Sequence, residues 1–532
     1  MRAGALLVPA LAATVSVSAL PNNGPESSRI AGIDLGKIFD PPSWWWLPDL
    51  LKPRLSSKAY QKSITIDGLL QHSKALSKFA AINGANTRSF GTPGYNASVE
   101  YVERWAKSYG YDVYRQTVVY PASELISNAL TVTGSAYPSD ALRTFQYSGA
   151  TPAGGVTADL VAVAGLGCQP AEYNGVEGKI ALVVRGNCTF VEKGNLAAEA
   201  GAAAIIIWNN APGGPVSSRL DVNTLLTNPP TIGISQEDGQ ALADRLAAGE
   251  TLETLIEVNV RNEIRPADNV IAQSKWGDKN NVIFVGAHLD SVPAGPGIND
   301  DGSGTAAVAE LLKQMARYKK SKNAVRFAWW ATEEVGLVGS RYYVENLSQE
   351  ERDKIVLYVN MDMVASPNYI LGVYDSDNSG GANTGIPSPP GSNTLEAAFQ
   401  QHFVEAKLNH TAYAFTAGSD YRPFLDAGIV AGGVATGAGG IKTEREVGLF
   451  GGEAGIPYDV CYHQACDTID NLAHDAFVWI TRSVADIFSK YVVDASPIKN
   501  EKKLAARGLP LPRGPADIVS HLGKECSHHD EL

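Results

Sequence analysis

Histidines and carboxylates follow several apolar runs in the second half of the chain, in a pattern typical of metal sites. His288-Leu289-Asp290 ends the apolar run 282–287, and alternation along a strand places residues 288 and 290 on the same face. His288 could therefore bind a metal ion while the Asp290 carboxylate supports the imidazole ring. The triplet alone is a weak signal, so its meaning depends on the residues that accompany it.

A tight acidic turn, Gly297 to Gly304, leads into a predicted helix. Helix capping explains one aspartate there, because aspartate is a common N-cap residue. It does not explain two adjacent aspartates that follow His288 so closely. Asp300 is the better candidate for a metal ligand, and Asp301 is the better candidate for a helix cap or a supporting group.

Three further carboxylates come directly after apolar, strand-like runs. Glu333 and Glu334 are adjacent, and without a cation their repulsion would keep at least one of them protonated. On a loop the two can face different ways, one toward a metal ion and one toward a water molecule. Asp362 ends the run 355–361, where by itself it could equally well cap a loop.

The segment Cys461 to Cys466 contains Tyr462 and His463. Its two cysteines could close a small disulfide loop that holds these side chains in position, or they could bind zinc themselves. An oxidising compartment favours the disulfide.

The candidate ligands are two histidines and three carboxylates, a mixture that suits zinc: His288, Asp300, Glu334, Asp362 and His463. One ion does not need five ligands. Two ions bridged by Asp300 would each receive one histidine, one further carboxylate and the bridge. The charges also balance, because two Zn²⁺ offset three carboxylates and one bridging hydroxide. We therefore expect two Zn²⁺ per chain, with Glu333 as the general base.

Regular strand and helix patterns after about residue 266 would position these side chains. Strands are expected at 281–287, 324–331, 355–361 and 428–434, and helices at 305–318, 338–346, 393–408 and 469–491. This alternation predicts an α/β fold with a mixed, mostly parallel sheet flanked by helices. The candidate ligands follow strand ends, where active sites of such sheets lie. Earlier patterns predict helices from Ile66 and over Thr92–Tyr109, and a strand from Asp112 to Tyr120.

Residues 125–262 differ in character, with short alternating runs between Gly and Pro turns. The clearest part predicts a strand at Ile180–Val184, a helix at about Asn195–Ala200 and a strand at Ala204–Trp208.

Composition excludes several classes of protein. The 532 residues are 44% hydrophobic and carry a net charge of −12, which argues against nucleic acid or an anionic membrane surface as a partner. Five cysteines are too few for a disulfide-dense miniprotein. The mixture is that of an ordinary globular protein.

Both ends of the chain indicate the secretory pathway. Residues 1–19 resemble a signal peptide, and no run is long and apolar enough to span a membrane. The terminal His529-Asp530-Glu531-Leu532 matches an endoplasmic-reticulum retention signal, so secretion and retention both remain open. Four Asn-x-Ser/Thr triplets are possible glycosylation sites: Asn96, Asn187, Asn346 and Asn409.

Taken together, the metal-site strings resemble the co-catalytic zinc aminopeptidases, which include secreted leucyl aminopeptidases and fungal vacuolar aminopeptidase Y. The matching strings are 286–292, 297–304, 332–336, 360–363 and 461–463. The resemblance implies a zinc-peptidase α/β/α sandwich in which the five ligands bind two zinc ions. It also implies that Glu333 is the base, and that Tyr462 stabilises the oxyanion.

Residues 178–190, with 198–210 behind them, resemble the protease-associated domain, which is often inserted into such enzymes. The resemblance implies that Cys168 and Cys188 are paired within it, which leaves Cys526 unpaired. The expected organisation is a signal peptide at 1–19, a pro-like segment at 20–60, a catalytic domain at 61–125 and 263–495, the inserted β-rich domain at 126–262, and a polar tail at 496–532.

The resulting expectation is a monomeric aminopeptidase that releases hydrophobic, Leu-like residues from peptide or protein N-termini. A glutaminyl cyclase with one zinc ion is disfavoured, because all five ligand positions are filled. A carboxypeptidase of the same fold would need a basic pocket for a C-terminal carboxylate. A receptor-like relative would be expected to have lost ligands or the base.

Overall fold

The structure is a computed structural model that describes residues 29–35, 39, 47–382 and 385–509. The expected signal peptide, the tryptophan run at 44–46, Cys526 and the C-terminal residues that match a retention signal lie outside the described residues. The described helices do not include any that is both long enough and apolar enough to cross a membrane.

Thirteen α-helices occur among the described residues, together with several short 3-10 turns. In chain order, α1 to α13 are Ser57–Ser63, Ile66–Ala80, Pro93–Ser108, Phe190–Glu199, Gln236–Ala247, Gly302–Met315, Val338–Glu345, Gln349–Lys354, Ser392–Glu405, Tyr421–Asp426, Glu444–Phe450, His474–Val493 and Ser496–Ala506.

The described residues also form sixteen strands. In chain order, β1 to β16 are Arg29–Ile30, Ile33–Asp34, Asp112–Val132, Ser135–Ala136, Arg143–Thr144, Val156–Ala162, Ile180–Val184, Ala204–Trp208, Thr231–Ile234, Glu253–Gln273, Asp278–His288, Asn323–Trp330, Ile355–Met361, Gly372–Tyr374, Thr411–Tyr413 and Ala431–Ala435.

The central part of the sheet is parallel and carries the candidate metal ligands. The strand order is β15-β14-β16-β13-β11-β12-β10, and β12, β11, β13 and β16 run parallel to their neighbours within this group. Both β10 and β14 pair with this group in the antiparallel direction. The predicted mixed, mostly parallel sheet is therefore confirmed.

Helices cover both faces of this sheet, because its central strands are apolar on both sides. One face packs against α2, α3, α6 and α12 around Trp105, Leu311 and Phe488. The other face holds an aromatic cluster in which the rings of Tyr358 and Phe424 stack with centroids 3.9 Å apart. The sheet is thus fixed between two packed layers, which keeps the ends of its strands in place.

A long two-stranded ribbon connects this sheet with the β-rich segment. Strands β3 and β10 each have 21 residues and pair antiparallel along their whole length. Beyond the ribbon, β6 to β9 form a parallel set with its own apolar core. The predicted strands at 180–184 and 204–208 are confirmed as β7 and β8.

Two details differ from the sequence-based expectation. The strand expected to end at Tyr120 continues to Val132, through Pro121. Along this stretch β3 pairs with β10 on one side only, and proline within a sheet is tolerated on such edge strands. The helix expected at 195–200 begins earlier, at Phe190, where the Thr189 hydroxyl caps it by accepting the Glu192 N–H.

Candidate metal centre

Five segments, three of them at strand ends, bring the predicted ligands together at the carboxyl edge of the parallel strands. His288 is the last residue of β11, and Asp300 lies in the loop before α6. Glu333 and Glu334 form a 3-10 turn after β12, and Asp362 follows β13. His463 comes from the long segment between α11 and α12.

Asp300 lies between the two histidines and offers one carboxylate oxygen to each. Its Oδ1 is 3.1 Å from Nε2 of His288, and its Oδ2 is 3.2 Å from Nε2 of His463. A carboxylate that faces two imidazole nitrogens with different oxygens has the geometry of a bridging ligand.

The two remaining carboxylates divide between the histidines. Glu334 Oε2 is 3.1 Å from Nε2 of His463, and Asp362 Oδ1 is 3.7 Å from Nε2 of His288. The other oxygen of Glu334, Oε1, is buried and has no hydrogen-bond partner. An orphaned buried carboxylate oxygen among nitrogen and oxygen donors fits a zinc site, since a cation would satisfy it.

The pKa shifts have the pattern of a carboxylate cluster with two histidines as its counter-charges. Burial, and after it the nearby charge of Asp300, raise the pKa of Glu334 to about 7, although the hydrogen bond to His463 and the charges of both histidines oppose this. Burial tends to lower the pKa of His463, but hydrogen bonds to Asp300 and Glu334 outweigh this and raise it to about 10. Protons therefore occupy the histidine nitrogens when no cation is bound.

Asp301 is placed as a cap, as expected. Its Oδ1 accepts the N–H groups of Gly304 and Met363, at 2.8 and 3.1 Å. Its Oδ2 accepts the backbone N–H of His288 at 3.2 Å. Asp301 thus fastens the start of α6 to β11 and to the residues after β13.

Asp290 lies beside His288, but its carboxylate is not the nearest group to the imidazole. Nδ1 of His288 is 3.1 Å from the backbone carbonyl of Asp290 and 3.7 Å from the carboxylate. The carboxylate instead accepts the backbone N–H groups of Glu333 and Glu334, at 3.1 and 3.4 Å. Asp290 therefore fixes the turn that carries both glutamates.

Glu333 lies at the edge of this cluster, in the pocket described below. Burial raises its pKa well above the ordinary value, and although the charge of His288 opposes this, those of Asp362, Asp420 and Glu334 add to it. A carboxylate in such surroundings binds a proton more readily than one in water.

Tyr462 stacks on His463, with ring centroids 3.8 Å apart, inside a loop closed by a disulfide between Cys461 and Cys466. Burial raises the pKa of the Tyr462 hydroxyl, so that it remains a hydrogen-bond donor. A second disulfide joins Cys168 and Cys188. Both disulfides expected from the sequence are present.

Sequence reasoning missed Arg88, a fully buried residue that holds two of the ligand loops. Its guanidinium donates to the carbonyls of Pro296 and Gly297, at 2.9 and 2.5 Å, and also to the carbonyl of Leu289. Burial lowers its pKa, while the charges of Asp290 and the other nearby aspartates oppose this effect. No local pattern around residue 88 would have indicated this role, because the hydrogen-bond acceptors of its guanidinium are about 200 positions away in the sequence.

A second missed residue is Asp467, which follows the disulfide loop directly. Its carboxylate accepts the backbone N–H groups of Asn299 and Asp300, at 2.8 and 2.9 Å. Burial raises its pKa to about 7. Its position next to the Tyr462-His463 string was the available signal.

Ser419 is the third missed residue, and it contacts a predicted ligand directly. Its hydroxyl donates to Asp362 Oδ2 at 2.5 Å and accepts from the Asn360 amide at 2.7 Å. Asn360 in turn accepts from the Tyr358 hydroxyl at 3.0 Å. This arrangement leaves Oδ1 of Asp362 turned toward His288.

Two cavities open at the metal-site residues. A pocket of about 200 Å³ extends from Glu333 and is lined by Met363, Tyr374, Tyr413, Tyr421, Ala435 and Gly437, among others. A cleft of about 590 Å³ meets Glu334 and His463 from the other side. The β3–β10 ribbon forms one wall of this cleft, through Pro121–Glu124, Arg261, Glu263 and Arg265.

Comparison with known sequences decides the family. The chain is 41% identical, over 88% of its length and 91% of the relative's, to a probable leucine aminopeptidase 2 of Aspergillus fumigatus. The chain belongs to peptidase family M28. Its residues 269–488 match the model of that family, and residues 156–242 match the PA domain. A leucine aminopeptidase 2 of Trichophyton rubrum is 38% identical over 94% of this chain and 97% of its own length.

Solved structures of two related aminopeptidases have the same fold as this M28 peptidase. An aminopeptidase from Aneurinibacillus sp. strain AM-1 aligns with a TM-score of 0.64 and 27% identity, covering 81% of this chain and 95% of that one. A zinc aminopeptidase from Bacillus subtilis aligns with a TM-score of 0.57 and 26% identity, covering 79% and 95%. The expected family, the fold and the inserted PA domain are thereby confirmed.

Proposed function

We propose that this M28 peptidase is a metallo-aminopeptidase that releases N-terminal, hydrophobic residues from peptides with the help of two zinc ions. The observation that carries the proposal is the position of Asp300, which offers one oxygen to His288 and the other to His463. His288 and Asp362 would hold one ion, His463 and Glu334 would hold the other, and Asp300 would be shared. The similarity to leucine aminopeptidases favours this reading over a cyclase or a carboxypeptidase.

Zinc, when bound, would supply Lewis acidity and a water molecule of lowered pKa. Glu333 would accept a proton from the attacking water and return it to the leaving amine, a role for which its raised pKa is suited. Tyr462 would donate a hydrogen bond to the oxygen that becomes negative as the carbonyl is attacked. Asp290 would keep Glu333 in position beside the attacking water, because its carboxylate accepts the backbone N–H groups of the turn that carries Glu333.

The two cavities suggest how a peptide lies in the site. The first side chain would occupy the 200 Å³ pocket, whose tyrosine rings and Met363 favour an apolar residue of leucine size. The free α-amine of the substrate would lie near Asp362. Because only the first residue of a peptide carries this amine, cleavage would be restricted to that residue. The remainder of the peptide would leave along the 590 Å³ cleft beside the ribbon.

For the domain organisation, we propose that residues 61–125 and 263–495 form the catalytic domain and that 126–262 form the insertion. The change from the core of the central sheet to a separate apolar core around β6 to β9 supports this division. The β3–β10 ribbon crosses both boundaries, so they fall within continuous strands.

We also propose that the protein enters the secretory pathway and carries N-linked glycans there. All four acceptor asparagines among the described residues are exposed, as glycosylation requires: Asn96, Asn187, Asn346 and Asn409. The two disulfides fit an oxidising compartment.

The direct test is turnover of a panel of aminoacyl-p-nitroanilides with and without a zinc chelator. We expect release from leucyl and other apolar substrates, its loss with the chelator and its return with zinc. Acetyl-leucyl-p-nitroanilide serves as the matched control, because its blocked amine should prevent cleavage. The absence of any chelator-sensitive release of an N-terminal residue would contradict the proposal.

A further inference from the structure

A second group of converging carboxylates lies behind the wall of the 200 Å³ pocket. Asp375 and Asp377 belong to the loop after β14, and Glu396 lies on α9. One oxygen from each of the three lies within 4.8 Å of the others. None of the three is among the five ligands of the zinc site described above.

Asp375 provides a second, independent observation at this cluster. Its side chain is fully buried, and while Oδ2 accepts the N–H of Ala382 at 3.0 Å, Oδ1 has no hydrogen-bond partner. A buried carboxylate oxygen without a partner is costly, since it loses its hydration and gains nothing in return. A bound cation would satisfy this oxygen and offset the repulsion among the three carboxylates.

Hydrogen bonds fix both oxygens of the Glu396 carboxylate. The Ser376 hydroxyl and backbone N–H hold its Oε2, at 2.6 and 2.7 Å, and the Gln400 amide holds its Oε1 at 2.9 Å. Burial, together with the charges of Asp377 and Asp375, raises the pKa of Glu396 to about 7 despite the hydrogen bonds from Ser376.

The donor set consists of oxygens only, which selects hard cations over zinc. Among these, Ca²⁺ accepts several carboxylate, hydroxyl and carbonyl oxygens in irregular geometry, whereas Mg²⁺ requires a near-ideal octahedron. The spacing Asp375-x-Asp377-x-Ser379-Gly380 also resembles the start of a calcium-binding loop, with Ser379 at the position where aspartate or asparagine is usual.

We propose that Asp375, Asp377 and Glu396 bind a Ca²⁺ ion that is separate from the zinc centre. The ion would fasten the loop after β14 to helix α9. Within this arrangement, the Asp375 N–H donates to the carbonyl of Tyr413 at 2.9 Å, and both Tyr374 and Tyr413 line the pocket. Calcium would therefore stabilise the pocket wall as well as the loop.

The effect on substrate binding rests on the proposed aminopeptidase function, but the binding of calcium does not. The two can be separated by titrating CaCl₂ into the zinc-loaded, full-length protein, and into the zinc-loaded Glu333→Gln variant, by calorimetry. We expect one Ca²⁺ per chain in both proteins, so loss of activity in the second would leave the calcium result intact.

Three variants sharpen the test. Asp375→Asn and Glu396→Gln should each weaken Ca²⁺ binding by about tenfold or more, because each removes one ligand charge. Glu501→Gln is the matched control, since Glu501 is also buried with one unpartnered oxygen but caps α9 through the Thr394 N–H. It should leave Ca²⁺ affinity unchanged. Glu396→Gln keeps the test open if Asp375→Asn does not fold.

Thermal unfolding provides the second measurement. CaCl₂ should raise the midpoint of the wild-type protein more than MgCl₂ or NaCl at equal ionic strength, and this difference should be lost in both ligand variants. If the Ca²⁺-bound, zinc-loaded protein shows aminopeptidase activity, removal of Ca²⁺ should raise KM for leucyl substrates more than it lowers kcat. Absence of calorimetric Ca²⁺ binding, equal responses to the three salts, or unchanged binding in both variants would overturn the proposal.

Discussion

The carboxylate of Asp290 accepts the backbone N–H of Glu333 at 3.1 Å. The position of the proposed base therefore depends on a residue that lies two positions after the candidate ligand His288. Asp290 also accepts the N–H of Glu334 at 3.4 Å. One side chain therefore fixes the turn that presents both glutamates, and it does so while its own carbonyl contacts His288.

Replacing Asp290 should therefore damage catalysis through Glu333. In Asp290→Asn, one oxygen is replaced by a donor amide that repels the N–H groups of the turn, so kcat should fall about 10- to 100-fold. KM for leucyl-p-nitroanilide should change little. Asp268→Asn is the control, since Asp268 lies on β10 and contacts Arg115 and Thr117 instead. Equal kcat values in Asp290→Asn and wild type would contradict the assigned role.

The hydroxyl of Tyr462 should contribute mainly to the transition state. Tyr462→Phe removes one donor without removing the ring that stacks on His463, and a loss of about 10²–10³ in kcat is expected. Tyr458→Phe is the matched control, because the Tyr458 hydroxyl donates to Glu446. If the Tyr462 and Tyr458 variants retain the same kcat, Tyr462 does not stabilise the oxyanion.

Much of this site follows from the sequence, because strand ends bring short strings together at one edge of a parallel sheet. His288 and Glu334 each come at the end of an apolar run that is recognisable by itself, and Asp300 lies in an acidic turn that leads into a predicted helix. Arg88 has no such context, because its guanidinium donates to backbone carbonyls that lie about 200 positions away in the sequence. The β3–β10 ribbon was also underestimated, since Pro121 interrupts the alternation without ending the strand.

Zinc binding should release protons near neutral pH. Without a cation, the carboxylates raise the pKa of His463 to about 10, so its imidazole is protonated at pH 7 and must lose that proton before it binds metal. The affinity for zinc should therefore fall as the pH is lowered from 8 to 6. Calorimetric titration of the chelator-treated protein in buffers of different ionisation enthalpy measures the released protons. A heat independent of the buffer would show that none is released.

The size of the 200 Å³ pocket should determine which first residue is released. Ala435 lines the pocket, and Ala435→Leu should fill space that a leucine side chain needs. We expect kcat/KM for leucyl substrates to fall at least tenfold relative to alanyl substrates, which need less room. The alanyl substrate is the internal control for folding and metal content. An unchanged ratio would place the first side chain elsewhere.

Asp486 should stabilise the fold in a pH-dependent way. It joins three helices through hydrogen bonds to Ser57, His402 and Lys490. Burial tends to raise its pKa, but these bonds outweigh burial and lower the pKa to about 2. The folded state thus binds fewer protons than the unfolded chain, so this stability is present above the ordinary aspartate pKa and is lost as the pH falls through about 4 toward 2.

Urea denaturation of zinc-loaded wild type and Asp486→Asn should reveal this contribution. At pH 7 the variant should be less stable by about 1–2 kcal/mol. At pH 4 the difference should be smaller, because the wild-type advantage has begun to disappear. A difference that is constant or grows toward pH 4 would contradict the assignment.

The central claim is that Glu333 moves the proton while the five ligands hold zinc. The most direct test is to measure leucyl-p-nitroanilide turnover and zinc content in the same preparation of Glu333→Ala. We predict full zinc content and a kcat lower by several orders of magnitude. Near-wild-type turnover at full zinc content would contradict the account.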